Sequence, residues 1–145
     1  MTKEISCFKA YDVRGRIPSE LNEDVAYRIG AGVASYFAAE SVVVGYDVRP
    51  SSIDILNALT KGINSKGAKV YSIGLCGTEE IYFATNHLNT DAGVMITASH
   101  NPADYNGLKI VGKGAKPVSM DSGLDEIKNI AEASESKTDK EPVIE

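Results

Sequence analysis

The sequence predicts an α/β protein, a three-layer sandwich in which helices cover a mixed, largely parallel sheet. The order of the segments predicts this fold class, and the composition predicts a globular chain. Apolar, β-prone runs alternate with amphipathic segments along the 145 residues, and this alternation is typical of strand–helix–strand units. The composition, 43% hydrophobic and 24% charged, is that of an ordinary globular domain. A chain of this length buries about two thirds of its unfolded surface, which is enough for one core.

The first predicted helix follows Asn22, a residue type that caps helix N-termini well. The apolar residues that follow recur at a spacing of four and share one helical face: Val25, Ile29, Val33 and Phe37. The next apolar run, 41–46, contains three consecutive valines and predicts a strand buried on both sides.

A second helix is predicted from Pro50-Ser51-Ser52 to Gly67, a residue type common at C-terminal stops. A second strand follows at 69–73. Thr78 is predicted to cap a third helix. That helix contains His87, for which we favour a structural role.

Two further strands are predicted at 93–97 and 108–111, and a last amphipathic helix at 124–131. Asn-Gly pairs favour tight turns. Asn106-Gly107 therefore predicts that the strand after it runs antiparallel to its predecessor.

The C-terminal segment differs in composition from the rest. Residues 134–145 are polar and weakly patterned, which is typical of a linker. We therefore predict one domain at 1–133 and a linker at 134–145 that leads toward later domains of a longer chain.

Charge and cysteine content narrow the function classes. The formal net charge of −5 argues against nucleic acid and an anionic membrane as partners. No apolar stretch approaches the about 20 residues that span a bilayer. Cys7 and Cys76 are the only cysteines, without a disulfide framework or zinc-ligand spacing. They are interpreted as reduced thiols of a cytoplasmic protein.

The most informative motif is the run Thr97-Ala98-Ser99-His100-Asn101-Pro102, which leads to Lys109. Its serine lies on a polar loop directly after a predicted strand. A serine hydroxyl needs a base or a positive field to be a nucleophile, and a phosphoserine carries about −1.5 to −2 charges. The candidate partners are His100, Lys109 and Arg14. Taken alone, residues 99–102 are explained equally well as a polar turn.

Two other motifs place an arginine at the end of a short β-like run or directly after a predicted strand. In Tyr11-Asp12-Val13-Arg14-Gly15 the guanidinium is able to bind a phosphate, and a salt bridge within the motif is the alternative. In Asp47-Val48-Arg49-Pro50-Ser51-Ser52 an anion is able to bind at the start of the second helix. There we favour a structural Arg49–Asp47 pair and a serine cap.

Three segments, 9–15, 74–85 and 90–111, together resemble domain 1 of the α-D-phosphohexomutases, which move phosphate between C1 and C6 of a hexose. The likeness continues through Gly114-Ala115-Lys116-Pro117 and covers most of the chain. The variant Asp104-Tyr105-Asn106-Gly107 is most similar to the bacterial phosphomannomutase or phosphomannomutase/phosphoglucomutase branch. Phosphoglucosamine mutases have a related loop.

The resemblance implies a phosphoserine mechanism. Ser99 would donate its phosphoryl group to a hexose phosphate and take back the other phosphate of a hexose 1,6-bisphosphate, the intermediate and activator. This implies interconversion of mannose 6-phosphate and mannose 1-phosphate, with glucose phosphates as further substrates. Mg²⁺ is the implied cofactor, bound partly through the phosphate oxygen on Ser99.

The resemblance also implies roles for the neighbours of Ser99. Lys109 and Arg14 match positions that assist proton transfer and stabilise transition-state charge. His100 belongs to the same loop and is predicted to be catalytic with them. Asn101 and Tyr11 are predicted to bind substrate.

The chain departs from the family pattern in its extent. Members of the family place four domains around one cleft, and this sequence lacks their Asp-Gly-Asp-x-Asp magnesium loop. Most Mg²⁺ ligands are therefore expected in the remaining domains of the full-length enzyme, which we predict as partners. We also predict that residues 1–145 fold but do not turn over sugar phosphate.

Two other function classes compete with this prediction. The first is a non-catalytic interaction module in which Ser99 is a regulatory phosphosite. The second is a serine hydrolase, which is disfavoured because the sequence has no Gly-x-Ser-x-Gly elbow.

Overall fold

The structure is a computed structural model that describes residues 4–98, 101–134 and 142–144. Within this part of the chain, strands and helices alternate as predicted, and the three-layer α/β fold is confirmed. The elements are β1 (Val13–Arg16), α1 (Glu23–Tyr36), β2 (Ser41–Tyr46), α2 (Ser52–Asn64), β3 (Lys69–Leu75), α3 (Thr78–His87), β4 (Ala92–Ile96), β5 (Tyr105–Gly112), β6 (Lys116–Pro117) and α4 (Leu124–Ala133). Short 3₁₀ helices flank β6, at Lys113–Ala115 and Met120–Ser122.

The strands form one mixed sheet in the order β1-β5-β4-β2-β3, with β6 paired to β5. β2 is parallel to both β3 and β4, whereas β5 is antiparallel to β1, β4 and β6. Among the described strands, β5 alone therefore runs against the others.

The predicted antiparallel direction of β5 is confirmed, but the reason given for it is wrong. Asn106 and Gly107 do not form a turn, since they pair inside the ladder with Gly15 and Arg14. Asn106 is fully buried and its side-chain amide donates to the hydroxyls of Ser51 (2.8 Å) and Ser52 (3.1 Å). These bonds hold the pair in an extended conformation, and the chain reverses earlier.

One face of the sheet, which we call the three-helix face, is covered by α1, α2 and α4 around the main core. The predicted cap of α1 is confirmed, because Asn22 Oδ1 accepts from the Val25 N–H at 3.0 Å. Arg28 is 2% exposed and donates to main-chain carbonyls at the C-terminus of α4, including those of Ala131 and Glu132 at 3.0 Å. A cation at a helix C-terminus is favourable, and here it fixes α4 to α1.

The opposite face, which we call the single-helix face, is covered among the described helices by α3. Its buried cluster is small and consists of Ile81, Met95 and Val111. The N-cap of α3 is Gly77 rather than the predicted Thr78, and the Gly77 N–H donates to Glu80 Oε1 at 2.8 Å. Large apolar side chains stay exposed on and beside α3: Leu75, Tyr82, Phe83 and Leu88.

Element bounds differ most at the edge of the sheet. The strand predicted at 108–111 extends over Tyr105–Gly112. The short β-like run predicted to end at Arg14-Gly15 overlaps β1, and β6 was not predicted. β1 has only four residues, of which two are arginines and one is glycine, so it lacks a strand pattern.

Most of the predicted 134–145 linker lies outside the described residues. Of its described part, Ile144 forms a parallel bridge with Val70 at the edge of β3. No helix in the described ranges is both long and apolar enough to cross a membrane.

Candidate active site

The register of β1 and β5 brings the predicted charged residues together on the single-helix face. Arg14 is opposite Gly107, and Lys109 is opposite Met95 of the α3-facing cluster. Because alternate residues of a strand share a face, Arg14 and Lys109 project to the same side of the sheet. They line a cavity of about 270 Å³ together with Tyr11, Asp12, Tyr82, Ile110, Val111 and Pro117.

Gly107 allows the two strands to approach closely at this point. A β-carbon at this position would collide with the carbonyl oxygens of Val13 and Thr97. The Thr97 N–H also donates to the Gly107 carbonyl at 2.9 Å. The first residue of the predicted serine loop is thereby held against the strand that carries Lys109.

The guanidinium of Arg14 is held by two side chains and still has N–H donors that are available to a ligand. Its Nη2 lies 2.7 Å from Asp12 Oδ2, and its Nη1 donates to Asn101 Oδ1 at 3.0 Å. Its Nε is buried and has no hydrogen-bond partner among the described residues. The salt bridge that was the alternative interpretation exists, but the guanidinium also reaches the serine loop 87 residues later. A guanidinium fixed in this way is suited to a phosphate.

Lys109 adds a second positive charge to the cavity. Its side chain is half-buried in β5 and forms no ion pair with another described residue. Tyr11 is 80% exposed at the rim of the cavity. Since Asp12 is the only carboxylate among the residues that line the cavity, the lining has a net positive charge and favours an anion.

Ser99 and His100 lie outside the described residues. The residues on either side of them are described and are joined by a hydrogen bond from the Asn101 N–H to the Ala98 carbonyl, at 3.0 Å. Ala98 is fully buried. The structure therefore brings together Arg14, Lys109, Asn101 and Tyr11, and the roles of all six predicted residues stay predictions.

The β2–α2 loop provides contacts that the sequence analysis missed. The predicted Arg49–Asp47 pair exists at 3.3 Å, but Arg49 also donates to main-chain carbonyls of the serine loop. A serine, Ser51, is the N-cap residue of α2 as predicted, but its side chain makes no capping bond. The Ser52 hydroxyl donates to Asp47 at 3.1 Å. Contacts over more than 50 residues have no local sequence signal.

His87 lies apart from this cavity. It is exposed at the end of α3, and its ring stacks on Phe83 with the ring centroids 5.2 Å apart. Tyr82, one turn of α3 earlier, lines the cavity instead. The described residues contain no group of three His, Cys, Asp or Glu side chains placed to hold a metal ion.

Comparison with known proteins connects this geometry to a family. Residues 6–138 match the family model described as phosphoglucomutase/phosphomannomutase, α/β/α domain I. A phosphomannomutase of Salmonella typhimurium is 54% identical over 133 residues, which are 92% of this chain and 29% of that protein. A phosphomannomutase of Klebsiella pneumoniae is 52% identical over 129 residues, 89% of this chain and 82% of that one.

A solved structure agrees with these matches. The crystal structure of a phosphoglucomutase/phosphomannomutase family protein from Burkholderia thailandensis superimposes with a TM-score of 0.83 at 33% identity. The superposition covers all of this chain and 33% of the Burkholderia protein. The chain thus spans about 29% of the length of the Salmonella relative. Because residues 6–138 match the model of domain I, the chain belongs to the phosphoglucomutase/phosphomannomutase family.

Proposed function

We propose that the chain is the phosphoserine-bearing domain of a hexose-phosphate mutase that interconverts mannose 6-phosphate and mannose 1-phosphate, and also accepts glucose phosphates. The observation that carries the proposal is the guanidinium of Arg14. It is fixed by Asp12 and Asn101, keeps a buried donor without a partner among the described residues, and shares a cavity with Lys109. Asn101 belongs to the loop that carries Ser99.

The proposed reaction consists of two phosphoryl transfers. In the first, the P–O bond to Ser99 breaks as a P–O bond to a sugar hydroxyl forms, and the hydroxyl proton ends on the Ser99 oxygen. The product is a hexose 1,6-bisphosphate. In the second, the Ser99 hydroxyl takes the other phosphoryl group and its proton ends on the sugar oxygen that loses that group. Such transfers depend mainly on positioning and charge stabilisation.

In this proposal Arg14 and Lys109 stabilise the charge on the moving group, and His100 assists proton transfer. Tyr11 and Asn101 contact the substrate. Mg²⁺ would be bound partly through one oxygen of the phosphate on Ser99, where it would supply Lewis-acid charge. Because the described residues offer no group of three His, Cys, Asp or Glu side chains for a metal, we place the remaining ligands in partner domains.

The exposed part of the single-helix face supports a partnership with such domains. Leu75 and Phe83 are 63% and 67% exposed, and the Salmonella relative is more than three times as long as the matched segment. We therefore propose that the isolated chain is inactive and that it acts in the cytoplasm with the domains that its relatives contain.

A chimera tests the proposed function. Residues 1–145 would replace the matching segment of the Salmonella relative, and mannose 1-phosphate conversion would be assayed with Mg²⁺. We expect activity in the chimera, none in residues 1–145 alone, and loss to background with Ser99→Ala. Ser35→Ala, at an exposed position in α1, is the matched control. Full activity of the Ser99→Ala chimera would refute the proposal and favour an interaction module.

A further inference from the structure

Arg49 binds the backbone of the serine loop where that loop returns to the sheet. Its side chain is 10% exposed. Its Nη1 donates to the carbonyls of Pro102 at 2.6 Å and Tyr105 at 3.0 Å, and its Nη2 donates to the carbonyl of Asn101 at 2.8 Å. One guanidinium thus fixes three carbonyls within residues 101–105.

Arg49 is itself held in place by its own loop. Its Nε lies 3.3 Å from Asp47 Oδ2, and Asp47 Oδ1 accepts from the Arg49 N–H and from the Ser52 hydroxyl. Ser52 in turn accepts from Asn106, which is fully buried. A buried guanidinium needs such pairing, and here the pairing leaves its fork directed at the serine loop.

Asn101 connects Arg49 to the cavity. Its carbonyl accepts from Arg49, and its side-chain oxygen accepts from Arg14 Nη1. Arg49 does not line the cavity of Arg14 and Lys109. Among the described contacts, the bonds of Arg49 to the backbone of residues 101–105 are the ones that connect it to this cavity.

We propose that Arg49 is a positioning residue for phosphoryl transfer: it fixes residues 101–105, so that Asn101 holds the Arg14 guanidinium in the orientation that transfer needs. This inference rests on the proposed function. Lysine does not replace Arg49, because a single ammonium lacks the planar fork that spans these carbonyls while pairing with Asp47. Misplacement by about 1 Å is enough to slow a reaction about a hundredfold.

The first test uses the 145-residue chain and does not depend on turnover. Arg49→Lys is compared with Arg16→Lys, a matched control. The Arg16 side chain is 57% exposed and contacts side chains of the same segment rather than its carbonyls, namely Asp104 at 3.4 Å and the Tyr105 hydroxyl at 3.3 Å. Nuclear magnetic resonance would follow the Arg14 Nε–H and the Asn101 side-chain amide. Both signals should shift in Arg49→Lys and stay in place in Arg16→Lys. Unchanged signals in Arg49→Lys would overturn the inference.

The second test measures kinetics in the chimera. We expect Arg49→Lys to lower kcat about a hundredfold with KM changed less than about threefold, and Arg16→Lys to keep kcat within about twofold. If Arg49 had only a structural role, Arg49→Lys would lower the unfolding temperature but leave kcat unchanged at assay temperatures well below unfolding. Ser99→Ala separates the two claims. If it is inactive while Arg49→Lys keeps full kcat, only the positioning role fails; if it is active, the proposed function fails.

Discussion

The two faces of the sheet differ in how much core they bury and in the charged side chains that they carry. The three-helix face buries most of the core, and the buried Arg28 on this face is paired with helix carbonyls and Asp24. The single-helix face has a cluster of three buried residues and carries Arg14 and Lys109 beside an open cavity. Stability thus comes mainly from one face, and the other carries charged side chains beside its cavity.

The largest expected contrast comes from one substitution made on both faces. Ile29 in α1 is 0% exposed and Ile81 in α3 is 1% exposed, so the two differ mainly in the size of the cluster around them. We expect Ile29→Ala to lower the free energy of unfolding by about 4 kcal/mol and Ile81→Ala by about 2 kcal/mol, because a small cluster at the edge of the core relaxes more easily. Urea denaturation measures both, and equal losses would contradict the contrast.

The two arginines provide the next comparison. Arg28→Met leaves helix carbonyls without their buried donor, and we expect a loss of about 3 kcal/mol in the free energy of unfolding. Arg14 is 35% exposed, although its partner Asp12 is buried. Arg14→Met removes one cation from a half-exposed pair rather than a fully buried donor, so it should cost about 1.5 kcal/mol, less than Arg28→Met. In the chimera, Arg14→Met should nevertheless abolish mutase activity. The division of the faces would be refuted if Arg14→Met destabilised the fold as much as Arg28→Met does.

A third prediction concerns the close approach of β1 and β5. Gly107→Ala places a methyl group against the backbone carbonyls of Val13 and Thr97, and overpacking of this kind costs about 2 kcal/mol. Gly77→Ala is the control, because its β-carbon would meet only the flexible ends of Glu79 and Glu80. Thermal unfolding of both variants is the measurement. A Gly107→Ala variant as stable as the parent would show that the strands do not need this contact.

The smallest expected effect distinguishes the two cysteines. Burial raises the pKa of the Cys7 thiol in the three-helix core from 9.0 to about 11. Burial also raises the pKa of Cys76, which packs on the smaller cluster and is partly exposed. At pH 8 we expect iodoacetamide to modify Cys76 at least about tenfold faster than Cys7. Mass mapping of the alkylated chain checks this, and equal rates would contradict the burial of Cys7.

The raised pKa of Cys7 also has a consequence for stability at high pH. The folded state holds the thiol proton more tightly than the unfolded state, so this contribution is complete below pH 9.0 and is lost as the pH rises toward about 11. Cys7→Ala should therefore flatten the decline in unfolding temperature between these pH values. If the unfolding temperature of Cys7→Ala declined with pH as in the parent, the decline would come from titratable groups other than Cys7.

Much of the three-helix face could be predicted from the sequence, because its signals are local. The Asn22 cap, the apolar spacing of α1 and the valines of β2 each lie within a few residues of the structure that they specify. The serine-loop motif is also local, because Thr97 to Pro102 form one continuous run in the sequence. By contrast, β1 has no apolar alternation, and the bonds of Arg49 join residues more than 50 positions apart. Asn106-Gly107 was misinterpreted because a buried hydrogen-bond network overrides the turn preference of the pair.

The central claim is that the cations of the single-helix face serve a phosphoserine at position 99. The most direct measurement is the intact mass of the protein from the cells that produce it, isolated with phosphatase inhibitors, with peptide mapping around Ser99. The account predicts one phosphoryl group, located on Ser99. A protein whose Ser99 peptide is unmodified in every preparation would contradict it.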